Sequence, residues 1–280
     1  MKPHAAMKRA LATQVAVIRR VTPTVRRGDA EALHAWRVAV RRVRTLLRAL
    51  PARRLRRVNT AALQSAWRAW SLKLGPARDA DVWHETLRDP RLRAALAATP
   101  TGRRFLHAQR RGRRDIKQPL DPRLASSGYT RLLARTERAV ARDLPVAFAT
   151  LGARRLERSV RRAFCRLLAK SRRRGRRLSS AERAEEIHAL RRSVRRARYL
   201  AELCRVLLPK PARRLRAPLL EAQETLGRIH DADVQLGHLR RLPDAARRAR
   251  NLIVARRQAA RRRLHTSWDA LLARLRAAGY

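Results

Sequence analysis

The chain has 280 residues, of which 70 are Lys or Arg and 21 are Asp or Glu, so its formal net charge at pH 7 is +49. This charge excludes the near-neutral surface of an ordinary enzyme, and a hydrophobic content of 45% is too high for a disordered basic tail. Aromatic residues make up only 4%, so the apolar content is mainly Ala, Leu and Val, which favours helix packing over a β-sandwich or barrel.

Arginine dominates the cationic residues. Six lysines leave 64 arginines, whose planar guanidinium groups match phosphate oxygens. Segments without a charged residue, such as 58–67, run at most ten residues, whereas a membrane span needs roughly 18. Cys165 and Cys204 are too few for a disulfide framework and are predicted to be packed thiols. We therefore expect a soluble, cytoplasmic protein that binds anions and does not bind membranes.

Apolar residues recur at helical spacing along the chain, which predicts an all-α fold. The predicted helices cover residues 4–20, 29–50, 53–74, 79–88, 101–117, 122–142, 146–172, 181–208, 211–228, 231–241 and 244–278. The predicted breaks between them lie at Pro23, Gly28, Pro51, Gly75, Pro76, Pro90, Pro119, Pro145, Gly175, Pro209, Pro211 and Pro243. Asp29 and Ser180 are predicted to start two of these helices, because their side chains can accept hydrogen bonds from the first turn.

Two motifs occur twice, in the same order. The segment HAWRVAVRRVR at His34–Arg44 recurs as HALRRSVRRAR at His188–Arg198, 154 residues later. The segment LGPARDADV at Leu74–Val82 recurs as LGRIHDADV at Leu226–Val234, 152 residues later. This pattern predicts a tandem duplication with its midpoint near residues 145–152.

The first motif predicts a cationic row beside a buried seam. At about 100° per residue, one stripe of the first helix carries His34, Arg37, Arg41, Arg44 and Arg48. A neighbouring stripe is apolar and carries Leu33, Trp36, Val40, Val43, Leu47 and Leu50. The second copy has His188, Arg191, Arg195 and Arg198 beside Ile187, Leu190, Val194, Ala197, Ala201 and Cys204, with Glu202 in the place of Arg48. Guanidiniums one helical turn apart, about 5 Å, suit successive phosphates of a linear polyanion.

In so arginine-rich a chain, a stripe of this kind also arises by chance and is usually a solvated face. Three features favour a binding role: a histidine heads the row, the placement is the same in both copies, and the row adjoins the seam. Because a bound anion raises the pKa of a nearby histidine, binding is predicted to tighten as the pH falls from about 7.5 to 6.

In these motifs the sequence resembles the CHAD domain, an α-helical domain named for its histidines. The resemblance covers most of the chain. It implies two similar helical bundles, 1–148 and 149–280, that are related by a pseudo-twofold axis and together form one domain with a basic central groove or pore. It also implies non-catalytic binding of inorganic polyphosphate and association with polyphosphate granules.

Carried over to this sequence, the resemblance implies one main binding row and a set of weaker candidates. The implied row is His34, Arg37, Arg41, Arg44, Arg48, His188, Arg191, Arg195 and Arg198. The weaker candidates are Arg42 and Arg196, which lie off the stripe, and Lys73, Arg78 and His230, which lie close to the second motif.

The second motif carries two pairs of carboxylates, Asp79 with Asp81 and Asp231 with Asp233. Their oxygens could ligate a hard cation beside His230. The favoured interpretation is structural: all four are predicted to cap helices or to hold an arginine of the row. We expect no metal and no cofactor.

Two further functions remain alternatives. Charge alone also favours a general nucleic-acid-binding protein, and competition between polyphosphate and DNA or RNA separates the two functions. A metal-dependent polyphosphate-processing enzyme is the weaker alternative, because carboxylates outside the two pairs are dispersed and the sequence has neither a G-x4-G-K-[ST] loop nor a G-x-S-x-G elbow. We therefore expect that the protein is not an enzyme.

Overall fold

The computed structural model describes residues 1–55, 58–118, 120–176, 184–240, 242 and 246–280. Throughout these residues the regular structure is helical and no β-strand occurs, which confirms the predicted all-α fold. The predicted breaks at Pro119 and Pro243 and the predicted helix start at Ser180 lie outside the described residues.

Thirteen α-helices form along the described part of the chain. They are α1 (Pro3–Arg26), α2 (Ala30–Ala49), α3 (Thr60–Lys73), α4 (Gly75–Thr86), α5 (Pro90–Ala97), α6 (Pro100–Lys117), α7 (Leu120–Ala125), α8 (Ser127–Arg138), α9 (Leu144–Leu151), α10 (Ala153–Gly175), α11 (Ala184–Leu203), α12 (Pro209–Leu239) and α13 (Arg247–Ala277). A 3-10 turn (Ala52–Arg54) follows α2, and a π-helical turn (Ala139–Asp143) joins α8 to α9.

Polar side chains cap several helix starts. The predicted start at Asp29 is confirmed, since its carboxylate accepts a hydrogen bond of 2.7 Å from the backbone N–H of Ala32. Asn59 caps α3 and Asp89 caps α5 in the same way. These bonds satisfy N–H groups of the first turn that have no partner within the helix.

Several prolines that were predicted to break helices lie within them. Pro23 is inside α1, where the predicted end near residue 20 is wrong by one and a half turns. Pro90 starts α5, a helix that was not predicted, and Pro76 and Pro145 are the second residues of α4 and α9. For Pro76, Pro90 and Pro145 the physical reason is that a first-turn residue needs no backbone N–H donor, so proline there is compatible with a helix. Pro23, in contrast, lies in the last turn of α1.

The carboxylates of the second motif do not cap helices, and that prediction is wrong. Asp79 and Asp81 lie inside α4. Asp231 and Asp233 lie inside α12, which is one continuous helix where two were predicted. An N-cap residue precedes the first turn, whereas the backbone N–H groups around these four residues belong to the helix interior.

The chain divides into two compact units, each made of separate segments. Unit 1 comprises Met1–Arg78, Gln118–Leu168 and Arg196–Arg216, and unit 2 comprises Asp79–Lys117, Ala169–Arg195 and Ala217–Tyr280. Helices α4, α10, α11 and α12 each contribute residues to both units. The internal duplication into repeats 1–148 and 149–280 stays a prediction. The basic central groove also stays a prediction.

The core of unit 1 is built around aromatic side chains of α2, α3 and α8. Trp36, Trp67 and Tyr129 are almost fully buried and meet edge to face or at a tilt. The Tyr129 hydroxyl accepts a hydrogen bond of 2.9 Å from Trp36 Nε1 and lies 2.7 Å from Thr22 Oγ1. Each buried polar group of this cluster therefore has a partner, and the cluster fixes α2 against its neighbours.

Unit 2 has a smaller core in which α4, α5, α12 and α13 contribute apolar side chains. Trp83, Leu92, Leu96 and Ile253 are among its buried members. Trp83 Nε1 donates a hydrogen bond of 3.0 Å to Gln109 Oε1, and its ring stacks on His238 with 4.5 Å between centroids.

Over the residues that the structure describes, no helix has the length and apolar character needed to cross a membrane.

Candidate functional site

The apolar stripe of α2 is buried in unit 1 as predicted. Leu33, Trp36, Val40 and Val43 have no exposed surface, and Leu47 is nearly as buried. The cap at Asp29 sets the start of α2, and burial of the apolar stripe leaves the neighbouring stripe at the surface. The row on that stripe is partly exposed and consists of His34, Arg37, Arg41, Arg44 and Arg48.

Arg37 lies against the beginning of α4. Its Nη1 donates a long hydrogen bond of 3.4 Å to the carbonyl oxygen of Leu74. A Cβ atom placed on Gly75 would lie 3.7 Å from the same nitrogen, so the guanidinium rests directly over the glycine. The LG step of the second motif thus provides the surface on which the second member of the row is held.

Positive charge is concentrated at the C-terminal part of the row. Burial lowers the pKa of Arg44 to about 10, and the nearby Arg48, Arg68 and Arg41 lower it further. The pKa of Arg48 is also lowered, first by burial and then by Arg68. Arg48 Nε donates a hydrogen bond of 2.8 Å to Gln64 Oε1. The buried Nε of Arg44, in contrast, has no acceptor among the described residues.

His34 heads the row beside another cation. Its pKa lies below the usual value because of partial burial and, next in size, the charge of Arg78. Glu31 acts in the opposite direction. His34 is therefore mainly neutral at pH 7, and the permanent charge at this end of the row comes from arginine side chains.

In unit 2, α11 and α12 bring the corresponding residues of the second copy together. Arg191 lies over Gly227, on which a Cβ atom would be 3.5 Å from Nη2, and its guanidinium is 3.8 Å from Asp231. The Nδ1 atoms of His188 and His230 are 3.3 Å apart. The arginine of the H-x2-R motif therefore rests on the LG glycine in unit 2 as it does in unit 1.

The histidine pair of unit 2 is held neutral. Burial lowers the pKa of His188 to about 4, with further contributions from His230 and the arginines at 191, 192 and 195. Burial also lowers the pKa of His230 to about 4, and Asp233 partly opposes this shift. Since the two rings interact, they titrate as a pair.

The last member of the predicted α11 row differs from its counterpart in α2. Arg198 belongs to unit 1, where it forms an ion pair with Glu202 and lies 4.8 Å from the ring centroid of Tyr199. Arg42 joins the same cluster, 3.7 Å from Glu202. Arg198 and Arg42 thus share a carboxylate partner, whereas no carboxylate is found beside Arg44 in the described residues.

Three of the weaker candidates also have defined surroundings. Lys73 Nζ lies 4.7 Å from the ring centroid of Trp70. Arg78 contributes charge at His34, and His230 meets His188. Arg196 is half-buried on α11. Sequence reasoning missed Arg68 of α3, which lies beside Arg44 and Arg48. It belongs to neither repeated motif, and in a chain with 64 arginines nothing else in the sequence distinguishes it.

The carboxylates of the second motif contact cations. Asp81 is buried and lies 2.8 Å from Lys117 Nζ. Asp233 accepts a hydrogen bond of 2.6 Å from Arg257 Nε. Asp231 faces Arg191, so it does hold an arginine of the row. In the part of the chain that the structure describes, no three His, Cys, Asp or Glu side chains are grouped so as to hold a metal ion.

These features define an all-α protein with histidine-headed arginine rows, each supported by an LG glycine. The CHAD domain family matches residues 9–240, and the chain belongs to this family. No protein with curated annotation matches the sequence.

Solved structures that share the fold include the following two. One is the crystal structure of the CHAD domain from the plant Ricinus communis, with 24% identity, a TM-score of 0.69, and coverage of 95% of this chain and 92% of that one. The other is PptA from Streptomyces chartreusis, with 16% identity, a TM-score of 0.63, and coverage of 99% of this chain and 100% of that one.

Proposed function

We propose that the protein binds inorganic polyphosphate without catalysis, through the cationic rows of α2 and α11, and that this binding directs it to polyphosphate granules. The observation that carries the proposal is the state of the α2 row. Burial, and next the charges of Arg48, Arg68 and Arg41, lower the pKa of Arg44, and its Nε lacks an acceptor in the described structure. A bound polyanion would supply acceptor oxygens and relieve the repulsion.

The spacing of the row favours a linear ligand. Successive members are three or four residues apart, so their guanidiniums recur about every 5 Å along the helix. A chain of condensed phosphates offers anionic oxygens along its whole length, and each guanidinium can donate two hydrogen bonds to them. The common groove for both rows stays a prediction from the family resemblance.

The carboxylates favour binding over catalysis. Asp81 and Asp233 are engaged by Lys117 and Arg257, and Asp231 faces Arg191. Metal-assisted phosphoryl transfer requires carboxylates that are available to a cation. These ion pairs give three of the four aspartates of the second motif, Asp81, Asp231 and Asp233, a structural role instead.

Binding of long polyphosphate to the wild type and to a sixfold variant tests the proposal. The variant replaces His34, Arg37, Arg41, His188, Arg191 and Arg195 by Gln. At pH 7 it loses four arginine charges, so its control replaces four exposed arginines of α13 by Gln: Arg247, Arg248, Arg262 and Arg263. Circular dichroism and the melting temperature verify that both variants fold.

We expect the sixfold variant to lose at least tenfold more affinity than the control. Equal losses would contradict the proposal, because they would mean that net charge alone determines binding. The nucleic-acid alternative is tested by competition: at equal phosphate concentration, polyphosphate should displace duplex DNA and single-stranded RNA. Failure to displace them would favour the general nucleic-acid-binding function.

A further inference from the structure

The N-terminal two thirds of α10 carry a second cationic surface, separate from the rows of α2 and α11. A cleft of about 390 Å³ on this helix is lined by Arg158, Arg161, Arg162, Cys165 and Arg166. All four arginines are exposed, and Cys165 is partly exposed between them. We call these four arginines and the cleft between them the α10 surface.

The arginines of the α10 surface lie opposite the buried face of their helix. Leu156, Val160 and Phe164 have no exposed surface and face the core of unit 1. At about 100° per residue, Arg158 and Cys165 lie on nearly the same line along the helix. Arg161 and Arg162 fall on either side of this line, so they flank a channel that runs along the helix axis. Cys165 lies in the floor of this channel, because its short side chain does not reach as far as the guanidiniums.

Little negative charge offsets this surface. Glu157 is the one acidic residue in the sequence of α10. Within the described residues, none of the four arginines forms an ion pair with a carboxylate. Four exposed guanidiniums within three helical turns attract a polyanion, whose binding releases counterions.

A hydrogen bond connects the α10 surface to the end of the α2 row. Ser159 Oγ donates to the carbonyl oxygen of Ala49, the last residue of α2, at 2.9 Å. Ser159 follows Arg158 in α10, and Ala49 follows Arg48 in α2. The α10 surface therefore begins beside the C-terminal end of the row within unit 1.

We propose that the α10 surface is a second binding site for inorganic polyphosphate, which lies as a single chain along the channel over Cys165. The identity of the ligand rests on the function proposed above, whereas the existence of the site rests on α10 alone. A single chain fits because the channel is formed by side chains of one helix. The channel residues include no aromatic side chain on which bases could stack, which favours polyphosphate over single-stranded nucleic acid.

Alkylation of Cys165 by neutral iodoacetamide tests this site directly. The protein has only one other cysteine, Cys204, which is 1% exposed and whose pKa burial raises to about 12, so it reacts far more slowly. Mass spectrometry of the two cysteine peptides measures each rate. We expect saturating polyphosphate to slow the alkylation of Cys165 at least fivefold.

Matched variants assign the protection to the α10 surface. Replacement of Arg158, Arg161, Arg162 and Arg166 by Gln should abolish the protection, whereas the α13 control described above should retain it. The sixfold row variant should retain it as well as this control does, because both variants lose four arginine charges and neither changes α10. Loss of protection in this row variant at every concentration would overturn the proposal of an independent site.

The outcomes separate the two proposals. If polyphosphate binds the wild type but leaves the alkylation rate of Cys165 unchanged, the α10 site is wrong and the function of the rows stands. If the row variant binds as tightly as its control while Cys165 is still protected, the α10 site stands and the function of the rows is wrong. Stronger protection by duplex DNA than by polyphosphate, at equal phosphate concentration, would overturn the assigned ligand.

Discussion

His188 and His230 meet through their Nδ1 atoms at 3.3 Å, and each has a pKa of about 4. One of the two nitrogens must be unprotonated for a hydrogen bond to form between them. Arginines 191, 192 and 195 of α11 surround the pair, and the carboxylates of Asp231 and Asp233 on α12 only partly offset them. The pair is therefore neutral in the free protein at pH 7, and protonation adds charge where cations already gather.

The free protein should lose stability as the pH falls from about 6.5 to about 4. In the unfolded chain each histidine has a pKa near 6.5, so between these values the unfolded state binds more protons than the folded state. The free energy of unfolding from urea titrations at pH 7.5 and pH 5 measures the effect. The double variant H188Q/H230Q should lose part of this pH dependence. An identical pH dependence in wild type and variant would show that the pair does not contribute.

Polyphosphate affinity should rise as the pH falls, but over a wider range than the sequence alone predicts. The two histidines of the free protein remain neutral from pH 7.5 to 6, and a bound polyanion raises their pKa. By linkage, the affinity gain continues until the pH approaches the free-state value of about 4. Fluorescence anisotropy at pH 7.5, 6 and 5 measures the slope, which H188Q/H230Q should reduce. A slope of opposite sign would contradict a binding role for the pair.

Gly227 should support polyphosphate binding because its small size leaves room for the Arg191 guanidinium, and not because of its backbone freedom. A Cβ atom there would only touch Arg191, so Gly227→Ala should leave polyphosphate affinity within about twofold of wild type and add up to about 1 kcal/mol of helix stability. Gly227→Val should displace the guanidinium and cost as much affinity as Arg191→Gln. Titration of both variants, together with their urea unfolding, separates lost binding from lost folding. Equal affinity of the Val and Ala variants would refute the support role.

Arg44 should contribute more to binding than Arg198, although they occupy the same position in the repeated motif. Arg44 lacks a carboxylate neighbour in the described residues, whereas Arg198 is paired with Glu202. A charge-assisted hydrogen bond contributes about 1.5 to 3 kcal/mol, so Arg44→Gln should weaken polyphosphate binding roughly tenfold or more. Arg198→Gln should weaken it less than about threefold. Dissociation constants at one salt concentration test this order, and the reverse order would refute it.

The Tyr129 hydroxyl should be a main determinant of unit 1 stability. Tyr129→Phe leaves the buried Trp36 Nε1 donor without its acceptor, which typically costs about 1 to 3 kcal/mol. Thr22→Val removes a partner of the same hydroxyl while Trp36 keeps its bond, so it should cost less. Urea unfolding of both variants gives the comparison. A smaller loss for Tyr129→Phe than for Thr22→Val would show that the Trp36 bond is unimportant.

The sequence predicted α2 closely because two strong signals agree there. Asp29 is a good N-cap, and the apolar stripe from Leu33 to Leu50 keeps one helical period. It predicted less well where prolines occur, since proline breaks a helix only when a backbone donor is needed, and Pro90 and Pro209 instead lie in first turns. Periodicity alone does not distinguish these cases.

The sequence predicted which residues form the row of α2, but it did not predict which side chains contact one another. Helical angles gave the row of α2, because they depend only on spacing along one helix. The pairing of Arg198 with Glu202 and the meeting of His188 with His230 depend on rotamers and on packing between helices. In a chain with 64 arginines, sequence spacing does not identify which ones are neutralised by a carboxylate.

Lys117 is one of only six lysines in the chain, and it faces the buried carboxylate of Asp81. Acetylation leaves arginine charge untouched, so the overall cationic character of the protein would scarcely change under an acetyltransferase. At Lys117 the same modification would remove a positive charge that lies 2.8 Å from a buried carboxylate, which would destabilise the folded state. A protein whose charge comes mostly from arginine thus resists lysine acetylation as a whole, while the ammonium group at the end of α6 remains a point of sensitivity.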